Sequence, residues 1–173
     1  AALSTIGAIG QNTLNINTGN AAGIENVVLA GAIALNVDAS GYTGNSLNIT
    51  GNAANNTINA GDEGDVINAG LGNDTVIGGI GGDVITGGGG LDNLDGGDGS
   101  DVFIIGSTAD YITAATAGTS DQIDGNTSGS VGDGLPGEVN SIFFTSTTAA
   151  QTLTINQFTH DIQEILISDA NGV

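Results

Sequence analysis

Five aspartates, Asp65, Asp74, Asp83, Asp92 and Asp101, follow one another at intervals of nine residues, in a chain with no Lys or Arg to pair with them. Carboxylates gathered in such a series repel one another, so a compact state needs a cation from solution. A hard divalent cation suits them, because each Asp offers carboxylate oxygen and the Gly-rich stretches between offer backbone carbonyls, the ligand set calcium prefers. Magnesium wants stricter octahedral geometry and keeps its waters, and softer metals want His or Cys, of which the chain has one and none. The chemistry the spacing points to is calcium binding.

The elements that must position these carboxylates are also written in the period. Residues 60 to 104 divide into five consecutive blocks of nine: AGDEGDVIN, AGLGNDTVI, GGIGGDVIT, GGGGLDNLD and GGDGSDVFI. The sixth place is always Asp and the eighth is Ile67, Val76, Ile85, Leu94 and Phe103. Three residues, x-apolar-x, make a short strand with one side chain pointing inward, and six Gly-rich residues make a turn. Two blocks then close one coil, with parallel strands stacking about 4.8 Å apart. On this reading Ile58, Val76, Leu94 and Ile112 form one inward column, with Ile67, Ile85 and Phe103 facing it. Asp65, Asp83 and Asp101 stack on one edge of the coil, and Asn56, Asp74, Asp92 and Asp110 on the other.

The last members of those columns come from weaker copies. GNAANNTIN at 51 to 59 puts Asn56 in the sixth place, and IGSTADYIT at 105 to 113 keeps Asp110 and Ile112 but few glycines. Asp62, Asp95 and Asp98 fall outside the sixth place, and their carboxylates read as surface charge.

The blocks resemble the nonapeptide GGxGxDxUx of the RTX (repeats-in-toxin) family, over residues 51 to 113. The resemblance implies calcium ions between turns eighteen residues apart, held by sixth-place Asp and by carbonyls of places two and four in one turn and one and three in the next. Carried onto this chain, one site takes Asp65, Gly61 and Glu63 with Asp83, Gly78 and Ile80. A second takes Asp74, Gly70 and Gly72 with Asp92, Gly87 and Gly89, and a third takes Asp83, Gly79 and Gly81 with Asp101, Gly96 and Asp98. Sites joining Asn56 to Asp74 and Asp92 to Asp110 depart from the pattern, so the resemblance implies about three to five ions. It also implies a bacterial protein, exported by type I secretion and folding outside the cell.

Composition narrows the rest. Fifteen Asp and four Glu give a formal charge of -19, which argues against nucleic acid and against an anionic membrane surface. The longest apolar stretch, VVLAGAIALNV at 27 to 37, is too short to span a bilayer, so membrane insertion is not expected. With 31 Gly, abundant Asn and no internal charge pairs, long helices are disfavoured and an all-β fold remains. The absence of Cys removes thiolate metal sites and cysteine nucleophiles, and no GxSxG, HExxH or phosphate-binding lysine occurs. The chain therefore reads as a non-enzyme, with its single His160 a surface or capping residue.

The flanks complete an expected architecture: an all-β parallel β-roll, or solenoid, with a short β cap at its C-terminal end. TLNIN, ALNVD and SLNIT place metal-free coils in residues 1 to 50, ahead of the calcium-binding roll at 51 to 113. Residues 114 to 140, with the only Pro, read as a loop whose Asp121, Asp124 and Asp133 match no calcium template. SIFFT, TLTIN and IQEILIS read as strands, antiparallel at least in part, forming the cap in 141 to 173. TLNIN resembles TLTIN, and IENVVL at 24 to 29 resembles IQEILI at 162 to 167, as if the two ends were related coil units. A coil with open ends is suited to head-to-tail self-association. These features lead us to expect an extracellular structural protein of a surface layer (S-layer), filament or adhesin, the alternative being the folding and secretion module of a larger RTX enzyme or toxin.

Overall fold

Each nine-residue block contributes one strand, and successive strands alternate between two sheets. The computed structural model describes residues 12–17, 23–106, 122–125, 139–146 and 159–169, and among these there is no helix. Numbered along the chain, the first sheet holds β1 (Thr13–Asn17), β3 (Asn36–Gly41), β5 (Thr57–Asn59), β7 (Thr75–Ile80), β9 (Asn93–Asp98), β11 (Gln122–Asp124) and β13 (Thr159–His160), stacked in that order. The second holds β2 (Asn26–Val28), β4 (Asn48–Thr50), β6 (Val66–Leu71), β8 (Val84–Gly89), β10 (Val102–Ile105), β12 (Ser141–Ser146) and β14 (Glu164–Asp169). Every pairing is parallel, so the fold is a parallel β-solenoid, consistent with a β-roll.

The register puts like on like. Ile58, Val76 and Leu94 stack in the first sheet, and Ile49, Ile67, Ile85 and Phe103 in the second. These side chains are almost fully buried and form a single continuous core. Two residues further along each strand lies a second inward place, and its occupants change along the roll. It holds Ile16 and Leu29 toward the N-terminal side, then Ala39, Gly51, Ala60, Ala69, Gly78, Gly87 and Gly96, then Ile105, Gly125 and Phe144. That second place is small from Ala39 to Gly96, a span that includes the aspartate-bearing coils.

Two expectations change. Leu94 is followed in its column by Ile123 of β11, not by Ile112, so residues 122 to 124 of the expected loop form a strand of the roll. Ile112 itself lies outside the described residues, as do TLTIN and Pro136. Downstream, SIFFT and EILIS do not turn back: β12 lies parallel on β10 with Ile142 over Phe103, and β14 lies parallel on β12 with Ile165 over Ile142. The physical reason is that a strand's alternation fixes which side chains turn inward and leaves the direction of its pairing open.

Candidate metal centre

The sixth-place Asp sits immediately before its strand, two residues ahead of the inward apolar side chain, and this turns its carboxylate into the coil. Asp65, Asp74, Asp83, Asp92 and Asp101 are all buried. One oxygen of each is used by the backbone of the coil before it. The Leu47 N–H donates to Oδ1 of Asp65 at 2.6 Å, the Asp65 N–H to Oδ1 of Asp83 at 2.6 Å, and the Asp83 N–H to Oδ1 of Asp101 at 2.9 Å. On the other edge the Asn56 N–H donates to Asp74 at 2.7 Å and the Asp74 N–H to Asp92 at 2.8 Å. The spacing of eighteen residues in these bonds matches the expected coil length.

The second oxygen is left facing inward. Oδ2 of Asp74 and of Asp83 is buried and has no hydrogen-bond partner among the described residues. Such an atom is costly unless something positive meets it. Burial accordingly pushes the Asp83 carboxyl up to about 8, against the lowering effect of its hydrogen bond from Asp65, and the charges of Asp101 and Asp65 push the same way as burial. Burial likewise raises Asp74 to about 6, aided by Asp92, and raises Asp65, aided by Glu63.

The surroundings of Asp83 Oδ2 fit a hard cation. A Cβ placed on Gly78 would overlap both that oxygen and the carbonyl oxygen of Gly96, so a carboxylate and a carbonyl oxygen converge there. The place-one glycine is small because the carboxylate occupies its space. The carbonyls of Gly70, Gly72, Gly79 and Gly81 face the next coil on the same edge, where a Cβ on Gly88, Gly90, Gly97 or Gly99 would meet each in turn. Gly79 (φ +116) and Gly81 (φ +119) hold the left-handed conformation that aims them, a conformation open to glycine and costly for other residues. Gly89 and Asp98, of the second and third expected sites, also turn carbonyls toward the neighbouring coil, accepting from Gly72 at 2.8 Å and Gly81 at 2.7 Å. No three acidic or imidazole side chains meet at one point among the described residues, so carbonyls must complete any site. All these donors are oxygen, which suits calcium.

The first block differs. Glu63 stands where later blocks have glycine at positive φ, and Asp65 Oδ2 already accepts from the Gly61 N–H at 3.0 Å. The Gly61 carbonyl accepts from Ile80 at 3.1 Å. Asn56 is satisfied by protein alone: its Oδ1 accepts from the Asn52 N–H at 3.0 Å, and its Nδ2 donates to the Leu35 carbonyl at 2.6 Å and to Asn52 Oδ1 at 3.2 Å. Asp110 lies outside the described residues, and so does Asp121, which the sequence places two residues before Ile123.

Sequence reasoning missed the continuation of the edge. The Asp101 N–H donates to Oδ1 of Asn140 at 2.8 Å, and the Asn140 N–H to Gln163 Oε1 at 2.7 Å. Asn140 Nδ2 donates to the carbonyl of Gly125 at 2.6 Å and to that of Asp161 at 3.3 Å, so an amide follows Asp101 in its column as Asn56 precedes Asp74 in the column of the other edge. The signal was present: Asn140 and Gln163 each stand two residues before an inward isoleucine, as every sixth-place Asp stands two before its own apolar residue.

Stacked parallel coils with buried carboxylates and carbonyls aimed across the gap define a β-roll whose turns offer oxygen donors to a cation. Residues 48–76 and 77–112 match the family model of the RTX calcium-binding nonapeptide repeat, in four copies. The chain carries RTX calcium-binding repeats, and these account for its central coils. No curated protein and no solved structure matches the chain at significant similarity.

Proposed function

We propose that this chain is a calcium-dependent, extracellular bacterial structural protein that self-assembles into a surface layer, a filament or part of a large adhesin. The observation that carries the reading is the set of buried aspartates, unpaired by any Lys or Arg in a chain of charge -19. Such a fold forms only where calcium is plentiful, as it is outside cells, and stays expanded where calcium is scarce. Asp65, Asp74, Asp83, Asp92 and Asp101 would hold the ions, with the turn carbonyls of Gly61, Glu63, Gly70, Gly72, Gly79 and Gly81 on one coil and of Gly78, Ile80, Gly87, Gly89, Gly96 and Asp98 on the next. Each carboxylate is committed to a backbone N–H and to a cation, which favours a structural over a catalytic role. No helix among the described residues is long and apolar enough to cross a membrane.

A second reading, the folding and secretion module of a larger enzyme or toxin, is favoured by a family match that covers the repeats alone. A calcium titration of the metal-free protein, followed by circular dichroism and light scattering with magnesium as control, separates the two. A calcium-specific coil-to-β transition followed by growth of large particles supports the structural role. Folding without growth supports the module, and β-structure indifferent to calcium overturns both.

A further inference from the structure

We infer that the outer face of the second sheet is a docking surface for the same face of a second copy, the two rolls pairing sheet on sheet. This goes beyond the self-assembling role proposed above, because a pair that closes on itself needs no growing particle. The first observation is an alternation at twice the repeat period. The seventh place of each block opens a strand and points outward, and along the repeats it reads Val66, Thr75, Val84, Asn93 and Val102. Because blocks alternate between sheets, the valines stack in one column on the second sheet, while Thr57, Thr75 and Asn93 stack on the first. Val and Thr are both β-branched and both favour strands, so the coil itself does not demand the difference. What differs is what each face meets.

The neighbouring outward column extends the contrast. On the second sheet it brings Ile104, Phe143 and Leu166 side by side. On the first sheet the matching column holds Asp38 and Asp95, with Asn59 and Ile77 between them. Val66 is 48 % exposed and Leu166 is 41 % exposed, and Val84, Val102, Ile104 and Phe143 are half-buried by their neighbours in the sheet. A contiguous apolar face of this kind marks a surface that another body covers.

The second observation, charge, selects the occupant. In a chain of charge -19, the outward residues of β4, β6, β8, β10 and β12 include no Asp or Glu. A basic partner would be drawn to the first sheet, where Asp38 and Asp95 stand, and finds no carboxylate on the second. A second copy carries the same charge and no Lys or Arg, so an approach through the first sheet sets carboxylate against carboxylate. Face to face through the second sheet, the two acidic faces stay apart. Sheets pack about 10 Å from one another, so the two first sheets would lie about 30 Å apart, well beyond a Debye length of about 8 Å. Five strands at about 4.8 Å by two outward places give roughly 250 Å² per copy, against about 800 Å² in a stable complex. The pair is therefore weak and reversible, and it forms at high protein concentration. A contact between like faces closes as a two-fold dimer.

The chain has no Cys, so a single thiol can be placed on either face. In calcium at millimolar protein, Thr86→Cys, on the outer face of β8, should be joined into dimers by a bis-maleimide of about 15 Å reach, whereas Thr75→Cys, on the first sheet, should not. Adding Val66→Thr, Val84→Thr and Val102→Thr to Thr86→Cys copies the residue that the first sheet carries in this place at 57 and 75. The calcium-induced dichroism should then be unchanged, while the yield of dimer falls about tenfold or more. A Thr86→Cys chain that stays unlinked overturns the pairing, and so does equal linking of Thr75→Cys or an undiminished yield in the threonine variant. Light scattering on the same samples keeps the two proposals separate. Large particles without the Thr86→Cys link overturn the pairing and leave the self-assembling role standing, whereas the link without particles supports the pairing and counts against that role.

Discussion

Replacing Asp83 by Asn should have opposite effects with and without calcium. In the metal-free roll this carboxyl is raised from 3.8 to about 8 by burial, so at pH 7 folding must take up a proton or bury a charge. The linkage cost of that difference is about 4 kcal/mol at pH 7. An Asn carries no charge there, and its Nδ2 would face the Gly96 carbonyl much as Asn56 Nδ2 meets that of Leu35. Its Oδ1 can still accept from the Asp65 N–H. Asp83→Asn should therefore stabilise the calcium-free roll by a few kcal/mol.

With calcium the sign reverses. Asp83 belongs to two of the three regular sites proposed, and each site at tenfold excess over its dissociation constant would contribute about 1.4 kcal/mol, so about 3 kcal/mol of calcium stabilisation should be lost. The sharper readout is a slope. Urea unfolding followed by circular dichroism at several calcium concentrations gives the free energy of unfolding against the logarithm of calcium, and the number of linked ions should fall from about three toward one. Asp62→Ala, in the third place of its block, should leave that slope unchanged and stability within about 0.5 kcal/mol. An unchanged slope in Asp83→Asn would refute the ligand assignment, and no gain in chelator would refute burial as the source of the cost.

Acidification should partly replace calcium: the raised groups Asp83 (about 8), Asp74 (about 6) and Asp65 favour folding fully below their ordinary 3.8 and lose that effect as pH rises through their folded values, so dichroism in chelator should gain β-signal from pH 8 to pH 5. A loss of β-signal over that range would contradict the burial argument. Gly79→Ala should cost about 2 kcal/mol or more, since φ is +116 and the new Cβ meets the Gly61 carbonyl, whereas Gly23→Ala, at φ +79 in open space, should cost about 1 kcal/mol; thermal melts in calcium compare them. Asn140→Ala strips partners from the Asp101 N–H and the Gly125 and Asp161 carbonyls, so it should lower stability by roughly 2 to 4 kcal/mol with the calcium slope unaltered, checked by the same urea series.

The repeats were legible because stacking of equal coils imposes equal spacing. Ile67, Ile85 and Phe103 can lie over one another only if each coil has the same length, and the nine-residue period records it directly. The period fails as a guide once coils lengthen. From Phe103 to Ile142 the chain runs 39 residues, yet β12 still lands in register on β10. Nothing in the spacing distinguishes such an excursion from the end of the roll, which is why Ile112 was expected where Ile123 stands and why an antiparallel cap was expected beyond it. What does survive the excursion is the local pair, an oxygen-bearing side chain two residues before an inward apolar one, as in Asn140 with Ile142 and Gln163 with Ile165. Direction of pairing is not written in a strand's own alternation, because it is decided by the strand already in place.

On the proposed reading, calcium dependence resides in the middle of the roll. On either side of the repeats the second inward place includes Ile16, Leu29, Ile105 and Phe144, each a buried side chain of the kind that contributes about 1.5 to 3 kcal/mol, interrupted by Ala39, Gly51 and Gly125. In the repeats that place is Ala or Gly, and the space goes to a carboxylate that opposes folding until a cation meets it. A central coil thus gives up apolar burial and adds buried charge, two terms of the same sign. Asn140 marks where this trade stops on one edge, because its amide offers both the acceptor that the Asp101 N–H requires and the donor that the Gly125 carbonyl requires; on the other edge Asn56 accepts from the Asn52 N–H of its own coil and donates to the Leu35 carbonyl. On that reading Asp at the column position would make a coil conditional on calcium, and Asn there would make it self-sufficient. The choice between two nearly isosteric side chains, repeated every eighteen residues along each edge, would then decide which coils need a cation and which the protein satisfies by itself.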